Sequence, residues 1–299
     1  MIGYGFMGDA MSNWILELDN VTYDYPCSSH HALRNLTLKV PAGKRCGLIG
    51  QNGCGKTTFF LMANGLYKPD RGSVRWRGEA FRYDRSSLSR LRQQVGLVFQ
   101  NPEHQLVATT VEEDISYGLC NLGLPMAEIQ VRTQQAMQEF HLQSLAHQPI
   151  HHLSLGQKKR VSIADVMVLK PELLLLDEPA AYLDPRHTTA LRSQLQTIYE
   201  SGTTIVLASH DLEFVYQWAD WIFVMNNGQL VLEGTPKHVF AERKMLLELQ
   251  LGIPLSIELM DAFEQFLEQY SEQFVGQPAQ SSQIPTIDAF RQQYLRNDR

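Results

Sequence analysis

The run Arg45-Cys46-Gly47-Leu48-Ile49-Gly50-Gln51-Asn52-Gly53-Cys54-Gly55-Lys56-Thr57-Thr58 decides the fold class. Arg45 to Ile49 is a short apolar strand, Gly50 to Gly55 a glycine-rich loop, and Thr57 to Ala63 has helical spacing. Glycine tolerates the turns that aim successive backbone N–H groups inward, so the loop suits phosphate oxygens, and the helix start beyond it adds its dipole. In that arrangement Lys56 sets a point charge on the β and γ phosphates, and the Thr57 hydroxyl ligates Mg²⁺. At an average glycine frequency of about 7%, the spacing arises by accident in roughly one chain of this length in a hundred. The strand before it and the helix after it make accident rarer still.

Working outward, strands and helices alternate, which implies a parallel sheet. Val95 to Phe99, Leu173 to Leu176 and Thr204 to Ala208 read as strands; Arg186 to Tyr199 and Leu212 to Trp218 read as helices. The unbroken apolar run Leu173 to Leu176 marks a strand covered on both faces. It delivers Asp177 and Glu178 to the carboxyl edge of the sheet, where open α/β sheets bind ligands. Asp177 can help hold Mg²⁺, and Glu178 can take a proton from an attacking water. A helix-capping acid pair is the plain alternative, and the independent phosphate loop argues against it. His210 falls at the same edge, where a ring nitrogen could meet the γ phosphate or the water; alone it would read as a turn histidine. Gln100, just past a strand, offers an amide oxygen to Mg²⁺ or water, and reads equally well as a polar strand end.

The outer regions are less specific. Asn13 to Tyr25 and Leu33 to Val40 alternate apolar and polar residues, with Pro26-Cys27-Ser28-Ser29 as a turn, and predict an antiparallel opening. Val74 to Ala80 reads as one further strand. Val111 to Ala146 is mainly helical with a break at Leu122-Gly123-Leu124-Pro125, and Ser154 to about Leu169 is helical up to Pro171. Beyond Gly252, Leu259, Phe263, Phe266, Tyr270 and Phe274 fall near helical spacing, a helix that either folds back or makes a dimer contact; Gly276 to Pro285 reads as a Gln/Ser/Pro linker. Met1 to Met11 has no Lys or Arg before its apolar residues, unlike a signal peptide, and reads as a loose extension upstream of a start at Met11.

Composition narrows the classes. Hydrophobic residues are 44% and charged residues 19%, which excludes collagen-like, disordered and disulfide-scaffold chains. Lys plus Arg at 26 against Asp plus Glu at 32 gives −6, the wrong sign for a surface that holds nucleic acid by counterion release. The longest purely aliphatic run, Leu173 to Leu176, is far short of the roughly 20 residues that span a bilayer. Cys27, Cys46, Cys54 and Cys120 form no CxxC pair and read as free thiols of a reducing compartment. The pairs His30-His31 and His151-His152 lack ligand-spaced neighbours and read as solvated loop histidines.

Leu153-Ser154-Leu155-Gly156-Gln157 adds a second helix start suited to an anion: Ser154 with Gln157 forms a capping box. Together these stretches resemble the ATP-binding cassette (ABC) family over roughly residues 16–241. Gly50 to Thr57 resembles Walker A, Gln100 the Q-loop, Leu153 to Gln157 the LSGGQ signature, Leu174 to Glu178 Walker B, Ala181 to Asp184 the D-loop, and His210 the switch histidine, all in family order. The resemblance implies a P-loop NTPase fold with a RecA-like parallel-sheet core, an N-terminal antiparallel β subdomain and a helical signature subdomain. It implies residues 1–13 as an extension, 14–248 as the ATPase domain with helices at about 101–170, and 249–299 as a C-terminal helical extension. It further implies ATP contacts at Tyr25 and from Gly50 to Thr58, Mg²⁺ at Thr57, Gln100 and Asp177, catalysis by Glu178 with His210 and Gln100, and D-loop communication through Asp184. Ser154, Leu155, Gly156 and Gln157 would then cap ATP held by another subunit. Tyr25 would stack on adenine, or be an ordinary strand aromatic. Cys54, within the loop, would be shielded from thiol reagents by ATP.

Two positions depart from the commonest pattern: Leu155 stands where a glycine is usual, and Tyr182 where the D-loop has a small residue. Leu155 still offers a backbone N–H if its backbone is not in a glycine-only region. Finer resemblance, carried by Val98 to Leu106, Val111 to Ile115, Leu91 to Val95, Gly156 to Arg160 and Leu251 to Leu255, is to ATPases of energy-coupling-factor importers, particularly the cobalt and nickel ones. It implies a peripheral protein on the cytoplasmic face of the membrane, a second ABC ATPase as homodimer or heterodimer partner, and a transmembrane coupling protein docking near Asn101 to Asp114. A separate membrane protein would choose the cargo, so metals, biotin, thiamin and other vitamins stay open. The competing job is a soluble cassette acting on nucleic acid or ribosomes, which usually carries paired cassettes, coiled coils or zinc modules that this chain does not show.

Overall fold

The computed structural model describes residues 14–26 and 31–274. The extension at 1–13, Cys27 to Ser29 of the expected turn, and the linker at 276–285 lie outside the described residues. In chain order the elements begin with strands β1 (Trp14–Asp24), β2 (His31–Pro41) and β3 (Arg45–Ile49), then helix α1 (Lys56–Ala63). Strands β4 (Arg71–Trp76) and β5 (Glu79–Ala80) follow, then α2 (Arg85–Gln94), β6 (Val95–Val98), and helices α3 (Val111–Asn121), α4 (Met126–Glu139) and α5 (Leu155–Met167). The remainder is β7 (Leu173–Asp177), α6 (Pro185–Glu200), β8 (Thr204–Ala208), α7 (Leu212–Trp218), β9 (Trp221–Asn226), β10 (Gln229–Gly234), α8 (Pro236–Ala241), α9 (Arg243–Glu248) and α10 (Leu255–Phe274).

These strands form two sheets. One is antiparallel in the order β2-β1-β4-β5. The other runs β10-β9-β3-β8-β7-β6, parallel except for the antiparallel β9-β10 edge. The α/β core with an antiparallel N-terminal sheet and intervening helices is the expected fold. Val74 to Ala80 is not one strand: Arg77 and Gly78 take positive φ, 49° and 81°, and fold it into a β4-β5 hairpin.

The leucine run of β7 shows how the sheet is held. Leu173 and Leu175 join a core with the antiparallel sheet and Phe59, Phe60 and Met62 of α1. Leu174 and Leu176 face the other way, into a core with α3 to α7. Each fully buried leucine contributes roughly 1.5–3 kcal/mol, so both faces are specified and a one-residue slip would reverse them. Helix α1 is thus clamped between two sheets, which fixes the loop that precedes it. Among the described residues no helix is long and apolar enough to cross a membrane. The first two turns of α10 are tied back to α7 and α9, since Ser256 N–H donates to Glu213 of α7 at 3.0 Å and Arg243 of α9 pairs with Asp261. Tyr270 and Phe274 lie where side chains are not described.

Candidate nucleotide site

Four loops at the carboxyl ends of parallel strands meet one cavity of about 420 Å³. Its lining includes Asn52, Gly53, Gly55, Lys56, Thr57 and Thr58 after β3, Gln100 after β6, Asp177 and Glu178 at the end of β7, and His210 after β8. Tyr25, just past β1, and His31 and Ala32 of β2 close one side. The volume is that of an ordinary small-molecule site.

Local geometry explains the glycines. Gly50 has φ +156° and a Cβ there would lie 2.3 Å from the Met225 carbonyl oxygen; Gly55 has φ +109° and a Cβ would lie 2.7 Å from the Ala32 carbonyl oxygen. Both positions need backbone approach that no side chain allows. Gly55 is the N-cap of α1 and supplies no side-chain cap, so the first-turn N–H groups are left to a ligand. Lys56 is 6% exposed, and its ammonium donates to the carbonyl oxygens of Gly50 at 2.6 Å and Gln51 at 3.1 Å. The Cys54 side chain, by contrast, does not line the cavity: it is 3% exposed, packed into the core beside Gly50. Gln51 also turns away, donating to the Leu249 carbonyl at 2.8 Å and to the Gln250 side chain at 3.1 Å. Those two residues therefore offer the ligand only backbone.

Thr57 Oγ1 donates to Asp177 Oδ2 at 2.6 Å. Burial raises the Asp177 carboxyl's pKa, while Thr57, Lys56 and His210 hold it down. With the Gln100 amide on the same cavity, the donor set is all hard oxygen, which fits Mg²⁺ rather than a soft metal. No cluster of three or more His, Cys, Asp or Glu that would hold a metal exists among the described residues, so phosphate oxygens would have to complete the shell.

Glu178 sits one residue beyond β7 with φ +48°, a left-handed backbone that a side chain takes only where its surroundings force it. Its Oε2 accepts the His210 backbone N–H at 3.3 Å. Its buried Oε1 has no hydrogen bond, although His210 Nε2 lies 3.1 Å away. Burial is the main reason the carboxyl's pKa is pushed up to about 7. His210 is held below its ordinary value, first by burial and then by the Lys56 charge. The result is a carboxylate on the cavity wall poised to accept a proton at neutral pH.

Tyr25 bonds Thr58 through its hydroxyl at 3.1 Å and meets Tyr23 and Tyr67 edge-on. His31, expected as a solvated loop residue, lines the cavity and pairs with Asp24 at 2.5 Å. Neither its role nor that of Ala32 is signalled by any motif.

The signature residues lie elsewhere. Ser154 caps α5: its Oγ accepts the Gln157 N–H at 3.3 Å, and Gln157 Oε1 accepts the Ser154 N–H at 2.8 Å. Ser154 and Leu155 are exposed, and Leu155 occupies the first helical position without positive φ, so glycine is not required there. Gly156 packs against His187: a Cβ would lie 2.7 Å from Cδ2, so the ring would have to move to admit one. Asp184 caps α6, accepting the His187 N–H at 2.9 Å, and Tyr182 stands 86% exposed with φ +63°. Neither Asp184 nor any residue from Ser154 to Gln157 lines the cavity.

Residues 33–181 match the ABC transporter family. The chain is 60% identical over 249 residues, 83% of this chain and 91% of the relative, to a protein of Nostoc sp. named as an ABC transporter ATP-binding protein. It is 39% identical over 247 residues, 83% of this chain and 79% of the relative, to the energy-coupling factor transporter ATP-binding protein of Methanothermobacter thermautotrophicus. Among solved structures it is similar to CbiO1 from Clostridium perfringens, part of an ABC transporter complex, with 37% identity, TM-score 0.71, and coverage of 84% of this chain and 100% of that one. A dimeric ATP-binding cassette in a post-hydrolysis state with ADP and phosphate is 26% identical at TM-score 0.68, over 74% and 98% of the two chains. The chain belongs to the ABC transporter ATP-binding family, on the branch of the energy-coupling factor ATPases.

Proposed function

We propose that residues 14–248 are the ATPase domain of an energy-coupling-factor importer, with the helices at about 101–170 as its partner-facing part and 249–299 as a C-terminal extension. One observation carries the reading: the phosphate loop, Asp177, Glu178, His210 and Gln100 share a cavity from which the signature residues are absent. ATP would be held by the loop's N–H groups, Lys56 and Thr58, with Tyr25 against the base. Thr57, Asp177 and Gln100 would hold Mg²⁺, which supplies charge neutralisation on the phosphates when bound. Glu178 accepts the proton of the attacking water, and His210, whose Nε2 lies 3.1 Å from Oε1, orients that carboxylate and meets the γ phosphate.

The exposed signature start supports closure by a second cassette, whose ATP would meet Ser154, Leu155, Gly156 and Gln157, with Asp184 and Tyr182 passing the state of one site to the other. Glu103, Leu106, Thr109, Ile150 and Lys158 border a surface cleft of about 380 Å³ beside the Q-loop. That cleft supports docking of a helix from a transmembrane coupling protein, which would hold the chain peripherally on the cytoplasmic face. A separate membrane protein would bind the cargo, a metal ion such as cobalt or nickel, or a vitamin; no residue of this chain need touch it.

Glu178→Gln keeps shape and removes the base. Turnover of ATP is expected to fall by about 10²–10⁴-fold with ATP still bound and dimer accumulating in the closed state. In the wild type, turnover should rise as pH increases through about 7, because only deprotonated Glu178 accepts a proton. Near-normal hydrolysis in Glu178→Gln would remove Glu178 from the base role.

A further inference from the structure

Lys159 is one turn into α5 and only 6% exposed. Its ammonium donates to three backbone carbonyls: Glu178 at 3.2 Å, Pro179 at 2.9 Å and Ala181 at 2.7 Å. All three of its donors are satisfied, and none of the three partners is a carboxylate. Its hydrogen bonds all go to backbone dipoles, and the one carboxylate that acts on its charge, Glu178, belongs to the segment it grips. Burying a cation on this backbone is an expensive construction that a neutral side chain would avoid.

The gripped segment shows what the construction holds. Glu178 and Tyr182, at the two ends of this turn, both have left-handed backbones, with φ +48° and +63°. Such residues persist only where their surroundings over-determine them. Lys159 supplies that constraint by drawing the carbonyls between them to one point. A second contact lies one turn earlier on the same helix, where Gly156 packs so closely against His187 that a Cβ would displace the ring. His187 is in turn joined to Asp184 through both its backbone N–H and its ring Nδ1, each at 2.9 Å. Helix α5 therefore holds the segment from Glu178 to Asp184 at both ends.

We infer that Lys159 is a positioning residue: it fixes the backbone turn that aims Glu178 and ties that turn to the helix bearing the chain's own signature start. The inference rests on Glu178 being the base.

Lys159→Gln and Lys159→Met reduce the donor set from three to two and then to none while keeping a long, unbranched side chain. Steady-state hydrolysis should fall in the order wild type, Gln, Met, with kcat for the Met variant lower by more than about tenfold and KM for ATP within about twofold. A kcat within about twofold of wild type in Lys159→Met overturns the assignment. So does a parallel collapse of ATP binding and thermal stability in both variants, which would make Lys159 a packing residue. Glu178→Gln measured alongside separates the two claims. If it is inactive while Lys159→Met is normal, only the Lys159 role fails; if it is active, the base assignment fails, and Lys159 then has no base to aim.

Discussion

Two helix starts in this chain, α1 and α5, are both polar, both follow a buried strand or turn, and both are anion-suited, yet their first turns are finished differently. Gly55 leaves the first turn of α1 without any side-chain cap, inside a cavity shared with three other strand ends. Ser154 and Gln157 close the first turn of α5 on each other, on an exposed corner with no further catalytic group beside it. The phosphate loop is a site that needs a ligand to satisfy its N–H groups. The start of α5 satisfies its own N–H groups without one, and in the proposed reading it would exchange its capping bonds for a partner's phosphate. A capping box contributes on the order of 0.5–2 kcal/mol, small enough to give up on closure.

That contrast is broken most directly at Lys56. Its ammonium is buried on the loop's own carbonyls, and removing it leaves those carbonyls and any phosphate without the charge that bridges them. Lys56→Ala should weaken ATP binding by at least about 100-fold, on the order of 3 kcal/mol for a lost charge-assisted contact. Equilibrium binding of a fluorescent ATP analogue reads this directly. Affinity within threefold of wild type would mean that the loop does not hold the γ phosphate.

A smaller loss is expected at the other start. Ser154→Ala removes one half of the capping box and the hydroxyl offered to a neighbour, so ATP affinity of the isolated chain should stay within about twofold while turnover drops by roughly tenfold. Mixing with Lys56→Ala subunits sharpens the comparison. A mixed dimer assembles one site with an intact loop and an intact signature, and should recover part of the activity that neither variant shows alone. No recovery at any mixing ratio would argue that signature and loop act within one chain.

The two starts also differ in how far sequence carries the reading. The phosphate loop is legible because its requirements are local: Gly50 and Gly55 meet neighbouring backbone, and no other residue fits. Asp177 and Glu178 are legible because four leucines can only be a strand buried on both faces, which places its end. The capping box is likewise visible, but not that Gly156 packs against His187. Contacts made across long chain separations leave no pattern. Lys159 reads as one of several basic residues on a helix, and its carbonyl partners lie 19 to 22 positions away. Gln51 reaches Leu249, 198 residues on, a link between the loop and the segment before α10 that no periodicity announces. The β9-β10 hairpin has a usable signal in Asn227-Gly228, where both residues take positive φ, 45° and 75°.

Cys54 tests the finest grain of the comparison, the direction of a side chain inside a motif. Its position in the loop predicts a thiol that ATP would shield, but the sulfur faces Gly50 and the core, 3.9 Å from the Lys56 ammonium. Burial raises the thiol's pKa despite that charge, so little thiolate is present at neutral pH to react. In a variant with Cys27→Ser and Cys120→Ser, which leaves Cys46 and Cys54 of the four cysteines, a maleimide should label slowly. The rate should be set by local opening of the core, and ATP should slow it by no more than the stabilisation that binding gives, a few-fold, rather than abolish it. Rapid labelling that ATP blocks completely would place the sulfur in the phosphate cavity. The loop would then present a side chain where the present geometry offers only N–H groups, and the distinction between an uncapped start waiting for phosphate and a self-capped one would lose its structural basis.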